Sequence, residues 1–325
     1  MMNKNLFVAV FISLIVFLAA STNLLAADTD AKHGQQKAVL VTGASTGIGR
    51  KITEVLAAKG YFVFAGARKQ KDLDSLDEME NVKALRLDVT VQADIDAAVV
   101  SVRNSGKGLH GLVNNAGVFI GGPLIEVPED ELIWLFDVNV MGPYRVTQAF
   151  APLIIEEKGR ITTIGSISGI LSGQFSGQYS MSKHAIEAYT DSLAKEMERF
   201  EVKVSVIEPG NYHSEIGNSA MQRMAEKEYA QEGSPYAEDL KKMMERPSDR
   251  TQYKDPDEVA QATLHALFDA NPKRRYMVVP NQEEAGWTVG TAIQEMVQLN
   301  EGQPYSYSRD QLIEMLDQAM NSDKE

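Results

Sequence analysis

Tyr179 and Lys183 stand four apart in "QYSMSK", residues 178–183. On a helix that interval sets a phenol and an ammonium on one face, one turn apart and within reach of a common ligand. The pairing of types suggests proton transfer. A phenol ionises near pH 10 in water, and nearby positive charge favours the phenolate at ~1.4 kcal/mol for each unit of depression. Roughly three units therefore require ~4 kcal/mol, which an ammonium and a second positive charge supply together in a poorly hydrated cleft. Tyr and Lys fall four apart by chance in most chains, so the elements that carry them decide whether the pair has chemistry to do.

From Ala38 onward, short apolar runs alternate with longer helical periods. The strand-like runs are "AVLVTG" (38–43), "YFVFAGA" (61–67), "VKALRLDV" (82–89), "GLVNNAG" (111–117), "GRITTIGS" (159–166), "VKVSVIEPG" (202–210) and "RYMVVP" (275–280). Continuous apolar strands separated by helices imply parallel βαβ units covered on both faces. Seven of them predict an α/β fold of Rossmann type: one doubly wound, seven-stranded parallel sheet in a single domain over residues 38–280. Residues 211–250 are polar and Met-rich and interrupt the rhythm before the last strand. Ligands bind beyond the carboxyl ends of parallel strands, so this insertion is placed to act as a helical lid over a substrate. Residues 281–325 add a C-terminal helical extension of two helices.

Directly after the first strand comes "TGASTGIGR", residues 42–50. Gly43 allows a tight turn, Gly47 lets the backbone approach a pyrophosphate, and Gly49 lets the following helix pack closely on the sheet. The helix N-terminus offers free N–H groups and a partial positive charge to the same anion. A dinucleotide bound there brings the second positive charge that the Tyr179–Lys183 pair requires, in an oxidised nicotinamide.

The glycine spacing is not G-x-G-x-x-G. It resembles the T-G-x-x-x-G-x-G of the short-chain dehydrogenases/reductases, and other motifs of that family follow in order over roughly residues 38–280. "NNAG" (114–117) ends the fourth strand, Asn139 lies in "DVNVMG", and Ser166 ends the fifth strand thirteen residues before Tyr179. Lys183 completes Y-x-x-x-K, and "PG" (209–210) follows the sixth strand. The resemblance implies an oxidoreductase that interconverts a carbonyl and an alcohol by hydride transfer, with Asn139, Ser166, Tyr179 and Lys183 as catalytic residues. Within it, Tyr179 is the acid/base, Ser166 bonds the substrate oxygen, and Asn139 holds a water that relays protons to Lys183. The cofactor contacts it implies are Gly43, Ser45, Gly47, Ile48 and Gly49, then Asp88 on the adenine, then Asn115, Ala116, Gly117, Pro209 and Gly210 together with Tyr179 and Lys183. Ser214 falls where a threonine often meets the nicotinamide amide. The segments "GSISGILSG" and "YSMSKHAIEAYTDSLAKEME" are similar to members acting on retinol, steroids and other lipophilic alcohols.

Cofactor choice is read from the end of the second strand, "AGARKQ" (65–70). An NAD-specific site places an acid there for the ribose 2′-hydroxyl. Here Ala67 occupies that position and Arg68 and Lys69 follow. A guanidinium grips a 2′-phosphate that a carboxylate would repel, so NADP(H) is favoured over NAD(H).

The chain's net charge of −13 argues against nucleic acid as a partner. Cysteine is absent and the five histidines show no ligand spacing, so no metal site is expected. Residues 6–27 carry no charge and follow Lys4. They read as a signal peptide or an uncleaved membrane anchor within residues 1–27, followed by a polar linker over 28–37. By the positive-inside rule the domain then lies across a membrane, exported to a periplasm or lumen or anchored there, and touches the membrane only through residues 6–27. The family resemblance also implies a homodimer or homotetramer. A non-catalytic NADP(H)-binding sensor or scaffold of the same fold is the competing reading, and it would not need to keep Tyr179 and Lys183.

Overall fold

The structure, a computed structural model, describes residues 36–227, 233–245 and 250–322. The expected signal or anchor segment and most of the linker lie outside the described residues. Among the described residues no helix is long and apolar enough to cross a membrane.

All seven expected strands form, and they pair in one parallel sheet. They are β1 (Ala38–Val41), β2 (Phe62–Ala67), β3 (Val82–Arg86), β4 (Gly111–Asn114), β5 (Arg160–Ile164), β6 (Lys203–Pro209) and β7 (Arg275–Val278), in the order β3-β2-β1-β4-β5-β6-β7. Chain order reverses between β1 and β4, which opens the crevice in which such sheets take ligands. Several strands stop short of their expected ends: β4 at Asn114, β5 at Ile164 and β3 at Arg86. The remaining residues of those motifs follow the strands at the carboxyl edge of the sheet.

The strands are apolar throughout because both faces are covered. Val39 and Val41 of β1 point into one core, while Ala38 and Leu40 point into the other. The first core is closed by α1 (Gly47–Ala58) and α2 (Gln70–Asp77), through Ile52, Leu56, Leu73 and Leu76. The second is closed by α3 (Gln92–Asn104) and, beyond α4 (Glu129–Phe136), by α5 (Gly142–Glu156) and α6 (Gly177–Met197), through Ile95, Val146, Phe150 and Ala194. Truncating a residue such as Phe150 to Ala would cost about 3–5 kcal/mol.

The interruption before β7 contains α7 (Ile216–Glu226) and α8 (Ala237–Met244), followed by α9 (Asp257–Phe268), which returns to the first core through Val259 and Leu267. Met224 is buried. Helix α7 is pinned to α4 by Arg223, whose Nε and Nη2 donate to Glu131 at 2.5 and 2.8 Å; Glu131 is 1% exposed. The expected C-terminal pair is present as α10 (Gln282–Asn300) and α11 (Arg309–Ser322). Asn281 caps α10 by accepting from Glu284 N at 2.9 Å.

Candidate active site

The turn from β1 into α1 has the conformation that its glycines allow. Gly43 and Gly47 have φ of +64° and +53°, in the left-handed region. A methyl group on Gly43 would lie 2.8 Å from Ala116 Cα, and one on Gly49 would lie 2.3 Å from both Asn115 Nδ2 and Gly43 O. Thr42 ties this turn to the end of β4, its Oγ1 accepting from Asn115 N at 2.9 Å and Ala116 N at 3.0 Å. Asn115 Nδ2 donates back to Thr42 O and Gly43 O at 2.9 and 3.0 Å. Asn115 therefore acts by holding the glycine turn in shape. Thr42 was missed as a site residue, although the "TG" of the motif contained the signal. Gly43, Ser45, Gly47, Ile48, Gly49, Ala116 and Gly117 fall together at the switch point, next to the first turn of α1. A Cβ would fill this cradle, and it opens on a helix N-terminus, as a diphosphate requires.

Tyr179 and Lys183 share one face of α6 as expected. Lys183 is 7% exposed; its Nζ donates to Ile164 O at 2.9 Å and stands 5.5 Å from the centre of the Tyr179 ring. Ile164 is the last residue of β5, so the lysine clamps α6 to the strand that leads to Ser166. Ser166 lies two residues beyond the strand, not at its last position, and caps the short turn Ile167–Gly169 by accepting from Ser168 N at 3.1 Å.

Asn139 is placed differently from the expected α-helical position. It sits in a π-helical turn, Asp137–Met141, between α4 and α5. Such turns widen the helix and often mark functional sites. Its amide is fully committed: Oδ1 accepts from Val118 N at 2.8 Å, and Nδ2 donates to Val118 O at 2.9 Å and to Ser182 Oγ at 3.1 Å. Ser182 in turn donates to Tyr179 O. In this arrangement Asn139 fastens the post-β4 loop to the helix that carries Tyr179.

Two aromatic neighbours escaped sequence reasoning. The Phe119 ring stands 5.1 Å from that of Tyr179, and Phe175 meets Tyr236 edge-on at 5.8 Å. Gly122 N donates to Phe175 O, which joins the loop after β4 to the loop before α6. Ser214 lies against the glycine turn, its Cβ 3.0 Å from where a Gly47 Cβ would be. Pro209 ends β6, and Gly210 N donates to Val278 O.

At the other end of the crevice, Ala67 closes β2 and Arg68 follows, with 58% of its side chain exposed and Nη1 3.8 Å from Asp88. Asp88 also accepts from Thr90 N and Thr90 Oγ1 at 2.9 and 2.7 Å. Arg86 donates to Arg68 O, so two guanidiniums flank this edge. Among the described residues no group of three or more His, Cys, Asp and Glu side chains could hold a metal ion.

A dinucleotide cradle and a Tyr-Lys pair on one parallel sheet define a nicotinamide-dependent oxidoreductase. The short chain dehydrogenase family matches residues 37–225, and the chain belongs to it. It is similar to a 3beta-hydroxysteroid dehydrogenase of Caenorhabditis elegans, at 35% identity over 265 residues, covering 74% of this chain and 68% of that one. It is also similar to the mitochondrial D-beta-hydroxybutyrate dehydrogenase of Bos taurus, at 33% identity, covering 74% of this chain and 76% of that one. Among solved structures, a short chain dehydrogenase/reductase of Burkholderia phymatum in complex with NAD superposes with a TM-score of 0.69 at 25% identity, covering 84% of this chain and 99% of that one. The protein is thus an oxidoreductase of alcohols and carbonyls whose fold binds NAD(P).

Proposed function

We propose that the protein interconverts a lipophilic carbonyl compound and its alcohol with NADP(H), using Tyr179 as the acid/base. The observation that carries this reading is the Tyr179–Lys183 pair, anchored on Ile164 O at the carboxyl edge of the sheet beside the glycine cradle. When bound, the nicotinamide supplies or accepts the hydride. As an alcohol is oxidised, Tyr179 Oη takes its hydroxyl proton; in reduction the same atom returns a proton to the nascent alkoxide. Lys183 stabilises the phenolate through its charge. Ser166 Oγ orients the substrate oxygen by donating a hydrogen bond to it. Asn139 keeps the Tyr179 helix and the post-β4 loop in register.

The ring of Phe119 beside Tyr179, and the Phe175–Tyr236 ring pair, support a lipophilic substrate. The exposed Arg68 after Ala67, with no acid at the end of β2, supports NADP(H). Export or anchoring by residues 6–27 belongs to the same reading; fractionation with protease protection of the domain tests it.

A panel of aldehydes and ketones, followed by NADPH absorbance, tests the activity. The wild-type protein turns over at least one compound, and Tyr179→Phe lowers kcat by about 10²–10⁴ while NADPH still binds. Turnover that survives in Tyr179→Phe would overturn the assignment.

A further inference from the structure

Arg250 is a cation without an evident task. It adopts φ of +52°, a left-handed backbone uncommon outside glycine. That backbone turns the side chain back onto the segment leaving β6. Nε donates to Tyr212 O at 3.1 Å and Nη2 to Asn211 Oδ1 at 3.0 Å, with the guanidinium 4.6 Å from the Tyr253 ring centre. The same segment continues to Ser214, which lies on the glycine turn. Burial foremost holds the Arg250 pKa below the usual arginine value, with Tyr253, Tyr179 and Glu284 pulling it the other way.

Arg145, Arg223 and Arg275 are matched by carboxylates, Arg145 by Asp137, Arg223 by Glu131, and Arg275 by Glu187, Asp191 and Glu208, whereas Arg160 is held by the backbone carbonyls of Ala266 and Asp269. Among the described residues Arg250 has no such ion pair. The nearby acid, Glu284, is already engaged, Oε2 accepting from Asn211 N at 2.8 Å and Oε1 from Asn281 Nδ2 at 3.3 Å. Toward the described residues, both Nη1 hydrogens and one Nη2 hydrogen of Arg250 remain uncommitted, a fork suited to an oxyanion.

We propose that Arg250 receives a carboxylate of the substrate, so that the compound carries an acid group on the side of the reacting carbonyl that faces the β6 segment. This rests on the reading of Tyr179 as the acid/base, and it narrows the substrate to amphipathic oxo or hydroxy acids. The aromatic side chain of Phe119, beside Tyr179, meets the chain and Arg250 takes the charge. A diphosphate of the cofactor is the other anion that could reach the same fork.

The probes are medium-chain oxo acids with the ketone at carbon 3, 4 or 5, each beside its methyl ester. Two quantities are read: kcat/KM with NADPH, and calorimetric binding to the NADP⁺-loaded protein. The wild-type protein prefers at least one acid over its ester by about tenfold or more. Arg250→Gln lowers kcat/KM or affinity for that acid by about 10- to 100-fold, as loss of a charge-assisted hydrogen bond predicts, and leaves the ester and NADPH within about twofold. Arg250→Lys keeps part of the preference. Equal handling of acid and ester by the wild-type protein overturns the proposal without reference to any variant. Equal losses for acid and ester in Arg250→Gln, or weakened NADPH binding, overturn it as well. Tyr179-dependent turnover of the esters would uphold the oxidoreductase reading even then. If nothing is turned over, tighter binding of the acid that disappears in Arg250→Gln supports the site, and equal binding of acid and ester refutes it.

Discussion

Glu187 lies one helical turn beyond Lys183, beneath the strand end that delivers Ser166, and Glu187→Gln separates its charge from its shape. Its side chain is 12% exposed and shares Arg275 with Glu208 on β6, which is 1% exposed; Arg275 Nη1 donates to both, and Nη2 donates to Asp191 at 3.0 Å. A methyl group on Gly165 or Gly169 would meet Glu187 Oε1 at 2.8 Å. Burial foremost, then the charge of Glu208, pushes the Glu187 carboxyl from 4.5 up to about 7, with Arg275 pulling the other way. The folded protein therefore retains a proton between these values that the unfolded chain has released. Its contribution is intact at low pH and is lost as pH rises through about 7. At ~1.4 kcal/mol per unit the loss between pH 5 and pH 8 is about 2–3 kcal/mol. An amide in its place does not titrate, so urea unfolding at pH 5, 6, 7 and 8 should show the variant gaining that amount on the wild-type protein as pH rises. Parallel curves, offset by a constant, would show that no proton is held at Glu187.

Three further outcomes are expected. Gly49→Ala places a methyl group 2.3 Å from Gly43 O and Asn115 Nδ2, so NADPH affinity measured by fluorescence titration falls by at least about tenfold and stability by about 1–3 kcal/mol. Arg68→Asp narrows or reverses the preference for NADP(H), and equal wild-type affinities for the two cofactors would refute that assignment. Arg223→Ala removes the bidentate partner of buried Glu131 and a cation stacked 3.5 Å from the Trp134 ring centre. It costs about 3 kcal/mol in urea unfolding, the low end for a broken buried pair because Lys227 stays 3.4 Å from Glu131. A loss under about 1 kcal/mol would show that the α7–α4 tie is unimportant.

Much of this architecture was readable because parallel sheets write themselves as apolar runs. All seven strands, the glycine turn, and Tyr179 with Lys183 on one helical face fell where local patterns put them. What escaped was set by contacts between distant segments. Nothing local distinguishes the π-turn at Asn139 from ordinary helix, because its widening is fixed by the amide's bonds to Val118 and Ser182. The bonds from the Asn115 amide to Thr42 O and Gly43 O likewise join two segments that no local pattern links. The charged cluster around Arg275 joins α6, β6 and β7 across 88 residues of chain, a separation no motif spans. Arg250 looked like part of a polar insertion until its bonds to Asn211 and Tyr212 showed where it turns.

The knot around Thr42 has one more consequence. Because β1 and β4 are stitched by Thr42 Oγ1 and by the amide of Asn115, the saddle for a diphosphate is held in shape by bonds internal to the protein. Recognition then forfeits little conformational freedom in the loop. Backbone amides at Asn115 and Ala116 should resist deuterium exchange in the apoprotein nearly as well as in the loaded one.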